Sequence, residues 1–192
     1  MNILKAKISI VGVRPLLWHH FGPDAIPVDG KRERTGVAGN DPEEWKRTVL
    51  KTPEGVLYVE GTYAFGAIRD GAKYTKKGRG SIQSAMSATL QIEEMIIETN
   101  RRLPDPITQD SSQDVYLDIR SVRNPTTKGR NVRYRVASSP GWKMTFTAVF
   151  DKTIISRHEM EAVLRDTGAL VGIGSGRAIG FGRFEVEGFE VS

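Results

Sequence analysis

The chain has 192 residues, with 28 Lys and Arg against 23 Asp and Glu and a formal net charge of +5. Hydrophobic residues make up 39% and charged residues 27%, the balance of an ordinary globular chain long enough for one sizeable core. There is no cysteine, which excludes disulfides and thiolate metal sites, and no apolar run near the roughly twenty residues of a membrane span, so a cytoplasmic protein with an acidic partner is expected.

Leu4, Ala6, Ile8 and Ile10 alternate with Lys5, Lys7 and Ser9, the period of a half-buried strand, and Pro15 ends it. Residues 14–55 read as a long loop, far beyond the usual connection and therefore a candidate functional segment. Inside it, residues 41–47 read as a short helix with Asp41 as N-cap and Pro42 in the first turn. Residues 56–59 give a brief strand. Residues 61–74 give a helix with Phe65, Ile68 and Ala72 on one side, and Gly66 and Gly71 imply close packing on another backbone. Met86, Ala88, Leu90 and Ile92 alternate and predict a second long strand, followed by a loop over 101–114.

Val115, Leu117 and Ile119 begin a hairpin that turns near 124–130 and returns over 132–136. Trp142, Met144, Phe146, Ala148 and Phe150 alternate most clearly of all. Ser156 and Glu159 form a capping box for a helix carrying Met160, Val163 and Leu164. In the last strand, Phe184 and Val186 change phase to Phe189 and Val191 across Gly188, which implies a bulge.

Without the long connections the order is strand, helix, strand, strand, helix, strand. That predicts an α+β, ferredoxin-like (RRM-like) split βαβ core, an antiparallel sheet with two helices on one face. The whole chain, 1–192, reads as one domain with an insertion at 104–140. The free sheet face could meet a ligand, although the stacked aromatics of RNA-recognition modules are missing from it.

The densest motif is the loop 171–182, with glycines at 172, 174, 176, 180 and 182. Glycines allow positive φ and close approach of a partner, and Arg177 and Arg183 add charge beside exposed amides. In nucleotide-binding loops the glycines follow a strand and open a helix; here the order is reversed and no Gly-Lys-Ser/Thr ending is present. A polyanion other than a bound nucleotide is the expected partner, and no cofactor is. A plain helix cap and turn is the alternative.

Two further segments are strongly basic. Arg69, Lys73, Lys76, Lys77 and Arg79 follow the first long helix. Arg120, Arg123, Lys128, Arg130, Arg133 and Arg135 crowd the hairpin, with Asp118 as the nearby acid in sequence. Phosphates would relieve such crowding; water-facing charge is the alternative.

Leu57-Tyr-Val-Glu-Gly-Thr-Tyr-Ala-Phe-Gly-Ala-Ile-Arg69 and the loop 171–182 resemble the two motifs of the RAMP superfamily, the RNA-binding subunits of CRISPR effector complexes. Glu60 stands where proline is usual and Phe65 where lysine is usual. The resemblance implies an antiviral ribonucleoprotein role, binding single-stranded RNA through Gly174, Gly176, Arg177, Gly180 and Arg183, the first helix and a thumb-like hairpin. It also implies other effector subunits, in a homo-oligomer or hetero-complex. His19 and His20 stand where some relatives keep a catalytic histidine for metal-independent RNA cleavage. Asp24 and Asp29 fall where backbone subunits of type III effectors keep an aspartate that supports metal-dependent cleavage. No ligand spacing marks a metal site. Single-strand DNA binding in a mobile element, or a purely structural subunit joined head to tail through acidic 91–98 and 185–190, remain alternatives.

Overall fold

The computed structural model describes residues 2–23, 41–123, 126 and 128–192. In chain order its elements are β1 (Ile3–Gly12), β2 (Leu16–Leu17), α1 (Glu44–Thr48), β3 (Val56–Glu60) and α2 (Gly61–Gly71). A small ribbon, β4 (Lys76–Lys77) and β5 (Gly80–Ser81), precedes α3 (Gln83–Thr89), β6 (Gln91–Ile92) and β7 (Ile96–Arg102). The hairpin β8 (Val115–Arg123) and β9 (Arg130–Ser138) leads to β10 (Lys143–Asp151), α4 (Arg157–Asp166) and β11 (Phe184–Val191).

The main sheet has the order β11-β1-β10-β7-β3, with β6 pairing β10 beside β7, and its pairs are antiparallel. The molecule is thus α+β, and the run β11-β1-β10-β7 is compatible with a split βαβ core. One face of the sheet meets the helices. Ala6, Ile8 and Ile10 of β1 and Phe146, Ala148 and Phe150 of β10 are at most 2% exposed, in one cluster with Ile68 of α2 and Met160, Val163 and Leu164 of α4. Each large apolar side chain so buried contributes about 1.5–3 kcal/mol. The other face carries Lys5, Lys7 and a Ser9–Thr145 hydroxyl pair at 3.0 Å. A second sheet, β2-β9-β8, holds the hairpin against the segment after Pro15.

Local sequence explains the ends of these elements. Ser156 Oγ accepts from the Glu159 amide while the Glu159 carboxylate accepts from the Ser156 amide, closing the capping box. Ser9 faces Gly188 but Ile10 faces Val186, so Glu187 is the extra residue of the anticipated bulge. Other expectations are corrected. Residues 83–89 are helical, because Ile82, Met86 and Leu90 fall on one face at spacings of four and are buried there. The strand lies later, at β7, and takes in Arg101 and Arg102, where a loop was expected. α1 begins at Glu44, and Asp41 accepts from the Glu43 amide at 3.0 Å in the turn before it. A Cβ on Gly71 would lie 2.0 Å from Thr167 Oγ1, the expected close approach, whereas Gly66 has open space. Among the described residues, no helix is long and apolar enough to cross a membrane.

Candidate nucleic-acid interface

α4 runs through a π-type turn, Thr167–Val171, into the glycine loop. Three backbone bonds pin that loop: Ile173 N–H to Gly182 O at 2.9 Å, Gly182 N–H to Pro15 O at 2.8 Å, and Ser175 N–H to Leu17 O at 2.9 Å. A Cβ on Gly182, at φ +69°, would stand 1.8 Å from Ile173 O, and one on Gly174 would stand 2.5 Å from Leu16 Cδ1. These two glycines serve the docking of the loop. Between the pins, Gly176 is left-handed and Arg177–Ile179 form a 3₁₀ turn. The amides of Gly176, Arg177 and Ala178 make no hydrogen bond among the described residues. Successive N–H groups beside a left-handed residue make a concave, anion-binding nest. Arg177 stands next to it, its guanidinium 3.3 Å from Asp70 of α2.

The loop faces the start of α2 across a cleft of about 260 Å³ lined by His19, Thr62, Tyr63, Gly66, Gly174, Ser175 and Arg177. The bare Gly66 keeps its wall open. His20 Nδ1 is 2.8 Å from the Tyr63 hydroxyl, while His19 turns toward Glu44, with Nε2 at 3.9 Å. Burial pushes His19 below the ordinary histidine value; Glu44 opposes the shift, and Arg133 and Arg135 add to it. His19 is therefore neutral at neutral pH, and its Nδ1 is buried without a hydrogen-bond partner among the described residues. A second cleft of about 530 Å³ shares Gly174 and Arg177 and adds Asp70, Lys73, Tyr74, Leu170 and Arg183. Burial works to raise the Asp70 carboxyl, but Lys73, Arg69 and Arg177 together hold it below the usual range. Three cations thus share one acid.

In the hairpin, Arg120, Arg133 and Arg135 are paired with acids of the same molecule. Arg120 holds Asp118 through Nη2 at 2.6 Å and Nε at 2.9 Å, and its guanidinium lies 4.6 Å over the Phe181 ring. Arg135 is 5% exposed, with Asp118 at 3.4 Å and Ser175 Oγ at 3.5 Å, the outer limit of a hydrogen bond. Arg133 reaches Glu44 at 2.6 Å, and Glu44 also accepts from the Tyr134 amide at 3.2 Å. Arg123 and Arg130 face each other across the strands, exposed, with no partner among the described residues. Lys128 is exposed at a φ of 60°.

The ribbon after α2 stands apart. Lys77 binds the Ile154 carbonyl at 2.9 Å and Glu159 at 3.1 Å, at the first turn of α4, and the glycine loop leaves the other end of that helix. Ten helical residues separate the two by about 15 Å. Lys76 and Arg79 are exposed on the same ribbon. His158 is exposed near the start of α4. Asp24 and Asp29 lie outside the described residues. Among those described, no group of three or more His, Asp or Glu could hold a metal. Sequence reading missed Glu44, which carries no local motif, and also Tyr63, Ser175 and Phe181, which lie inside the two motifs but were not singled out there.

Fold and site together define an α+β protein with a cationic cleft beside a glycine loop. No family model matches the chain, and no curated protein does. Among solved structures it is similar to a chain in a cryo-EM structure of the Type III-B Cmr-beta bound to cognate target RNA, at 10% identity and a TM-score of 0.44. That match covers 99% of this chain and 61% of the other, so this chain spans less than two thirds of its length.

Proposed function

We propose that this chain is a single-stranded nucleic-acid-binding subunit, selective for RNA, with a ferredoxin-like core of RAMP type. It works in the cytoplasm with other subunits of a CRISPR-type effector complex. The observation that carries this reading is the nest of amides at Gly176, Arg177 and Ala178, which make no hydrogen bond among the described residues and belong to the wall of the 530 Å³ cleft together with Lys73 and Arg183. Each phosphodiester carries one negative charge, which amide dipoles and a guanidinium can meet without reading sequence. The exposed Arg123 and Arg130 extend the positive field along the hairpin. Fluorescence anisotropy with single-stranded RNA, its DNA counterpart and duplex RNA tests the reading. Tight, salt-sensitive binding of single-stranded RNA is expected; equal affinity for duplex would overturn it.

One observation favours a second reading, metal-independent RNA cleavage. His20 is hydrogen-bonded to Tyr63 of the cleft wall, so the histidine could take the 2′-hydroxyl proton as that oxygen attacks phosphorus, while the P–O5′ bond breaks and the leaving 5′-oxygen takes a proton from the phenol or from water. Cleavage of RNA in the presence of a chelator, abolished by His20→Ala and by a 2′-deoxy substitution at the cut site, would support it. Intact RNA after long incubation would leave binding alone.

A further inference from the structure

At the Gly180–Arg183 end of the loop a further cleft of about 660 Å³ opens, walled by Arg14, Arg165 and Arg183 over Phe184 and Val186, with Glu185 as its lining acid. Arg183 also lines the 530 Å³ cleft, which shares Gly174 and Arg177 with the His19 cleft. The three clefts are therefore neighbours along the glycine loop, each sharing lining residues with the next.

Three features fit the far cleft to phosphate. Its arginines are poorly committed: among the described residues, Arg183 Nη1 is buried with no hydrogen-bond partner and the exposed Arg14 side chain has none either. Among the described residues the Arg165 side chain pairs with Glu161 alone, at 2.8 Å, and with side chains 63% and 32% exposed such a pair exchanges readily for a stronger anion. The positions are fixed by backbone, since the Arg183 carbonyl accepts from the Val13 and Arg14 amides at 2.9 and 3.2 Å. The way across is clear, because a Cβ on Gly180 would meet nothing within 4 Å. Midway, Tyr74 and Leu170 are 54% and 46% exposed, an apolar surface on which bases can stack.

We infer that the bound strand does not end at Arg177 but crosses the loop past Arg183, so that Arg14 and Arg165 hold a second stretch of its phosphodiester backbone. This rests on the nucleic-acid reading above. The test compares the parent, Arg177→Ala and the double variant Arg14→Ala/Arg165→Ala on oligouridylates of about 4 and about 16 nucleotides, the span over which single-strand grooves fill. The double variant should bind the short oligomer like the parent. On the long one its slope of log affinity against log salt should fall by about 1.4, roughly 0.7 for each phosphate no longer neutralised. Arg177→Ala should weaken both lengths. If the double variant keeps the parent's affinity and slope on the long oligomer while Arg177→Ala weakens it, the crossing is wrong and the binding reading stands. If neither variant differs from the parent, both fail.

Discussion

The β8–β9 hairpin and the glycine loop lie side by side against β2, and they hold their arginines in opposite ways. In the hairpin, Arg120 and Arg135 converge on Asp118 and Arg133 is taken by Glu44, so three of its six cations are paired with these acids inside the molecule. The loop has fewer cations, but its nest of amides and Arg177 line a cleft that Arg183 also lines. A count of lysines and arginines along the sequence ranks the hairpin first. Pairing across elements reverses the ranking, because Arg135 is buried with its acid whereas Arg177 is partly exposed and shares Asp70 with Arg69 and Lys73.

The largest effect should come from breaking the hairpin's internal pairing. Asp118→Asn leaves Arg135 buried and uncompensated, and loss of one partner of a buried ion pair costs about 3–5 kcal/mol. Urea denaturation measures it. Replacing both residues, as Asp118→Asn with Arg135→Met, should recover much of the loss. If Asp118→Asn is as stable as the parent, the hairpin charges are not committed inward.

Next in size is the loop itself. Arg177→Ala should lower RNA affinity by about 1.5–3 kcal/mol, the size of a charge-assisted hydrogen bond. Its partly exposed pair with Asp70 contributes only about 0–1 kcal/mol, so the fold should hold. Arg177 is a cleaner probe than Gly176→Val, whose Cβ would sit 3.0 Å from Phe181 at a φ of +75° and distort the loop. Normal RNA binding by a folded Arg177→Ala would remove the loop's claim over the hairpin.

A smaller effect is expected at the hairpin tip. Arg123→Ala/Arg130→Ala should weaken binding to all sequences alike and reduce the salt slope by about 1.4, with unchanged stability. The corresponding change at Arg133 and Arg135 should instead appear in the denaturation curve. The reverse assignment would invert the comparison.

The smallest effect lies at His19, where the two regions meet. Its folded pKa is depressed, mainly by burial, below the 6.5 of the unfolded chain. The unfolded state therefore takes up a proton first as pH falls. The contribution to stability is present above about pH 6.5 and is lost on descending through the window beneath it. The depressed carboxyls Asp41, Asp70 and Glu159 start from 3.8 to 4.5 and act only at lower pH. Denaturation midpoints near pH 7.5 and 5.5 should differ less for His19→Gln than for the parent. An identical difference in both proteins would place His19 outside the buried network.

Elements with a local cause were legible in the amino-acid order. β1, β10 and the hairpin strands follow from an apolar period of two, α4 from its capping box, and the bulge in β11 from a phase change across Gly188. Where local cues were weak or double, they misled. Met86, Leu90 and Ile92 satisfy an alternating pattern as well as a helical one, and only Ile82 buried one turn earlier favours the helix. β7 buries Ile97 and Thr99, exposes Ile96 and is otherwise polar, so its apolar residues show no alternation to detect; pairing with β3 and β10 makes it a strand. The five glycines of the loop called for a reason, and for three of them, Gly172, Gly174 and Gly182, the fold supplies it as a close approach to neighbouring backbone or to Leu16. Glu44 and Arg133 are 89 positions apart, and Arg135 and Ser175 are 40 apart. Which cations meet acids and which meet solvent was settled by the folded arrangement alone, because electrostatic pairing depends on distance in space, and sequence separation carries no record of it.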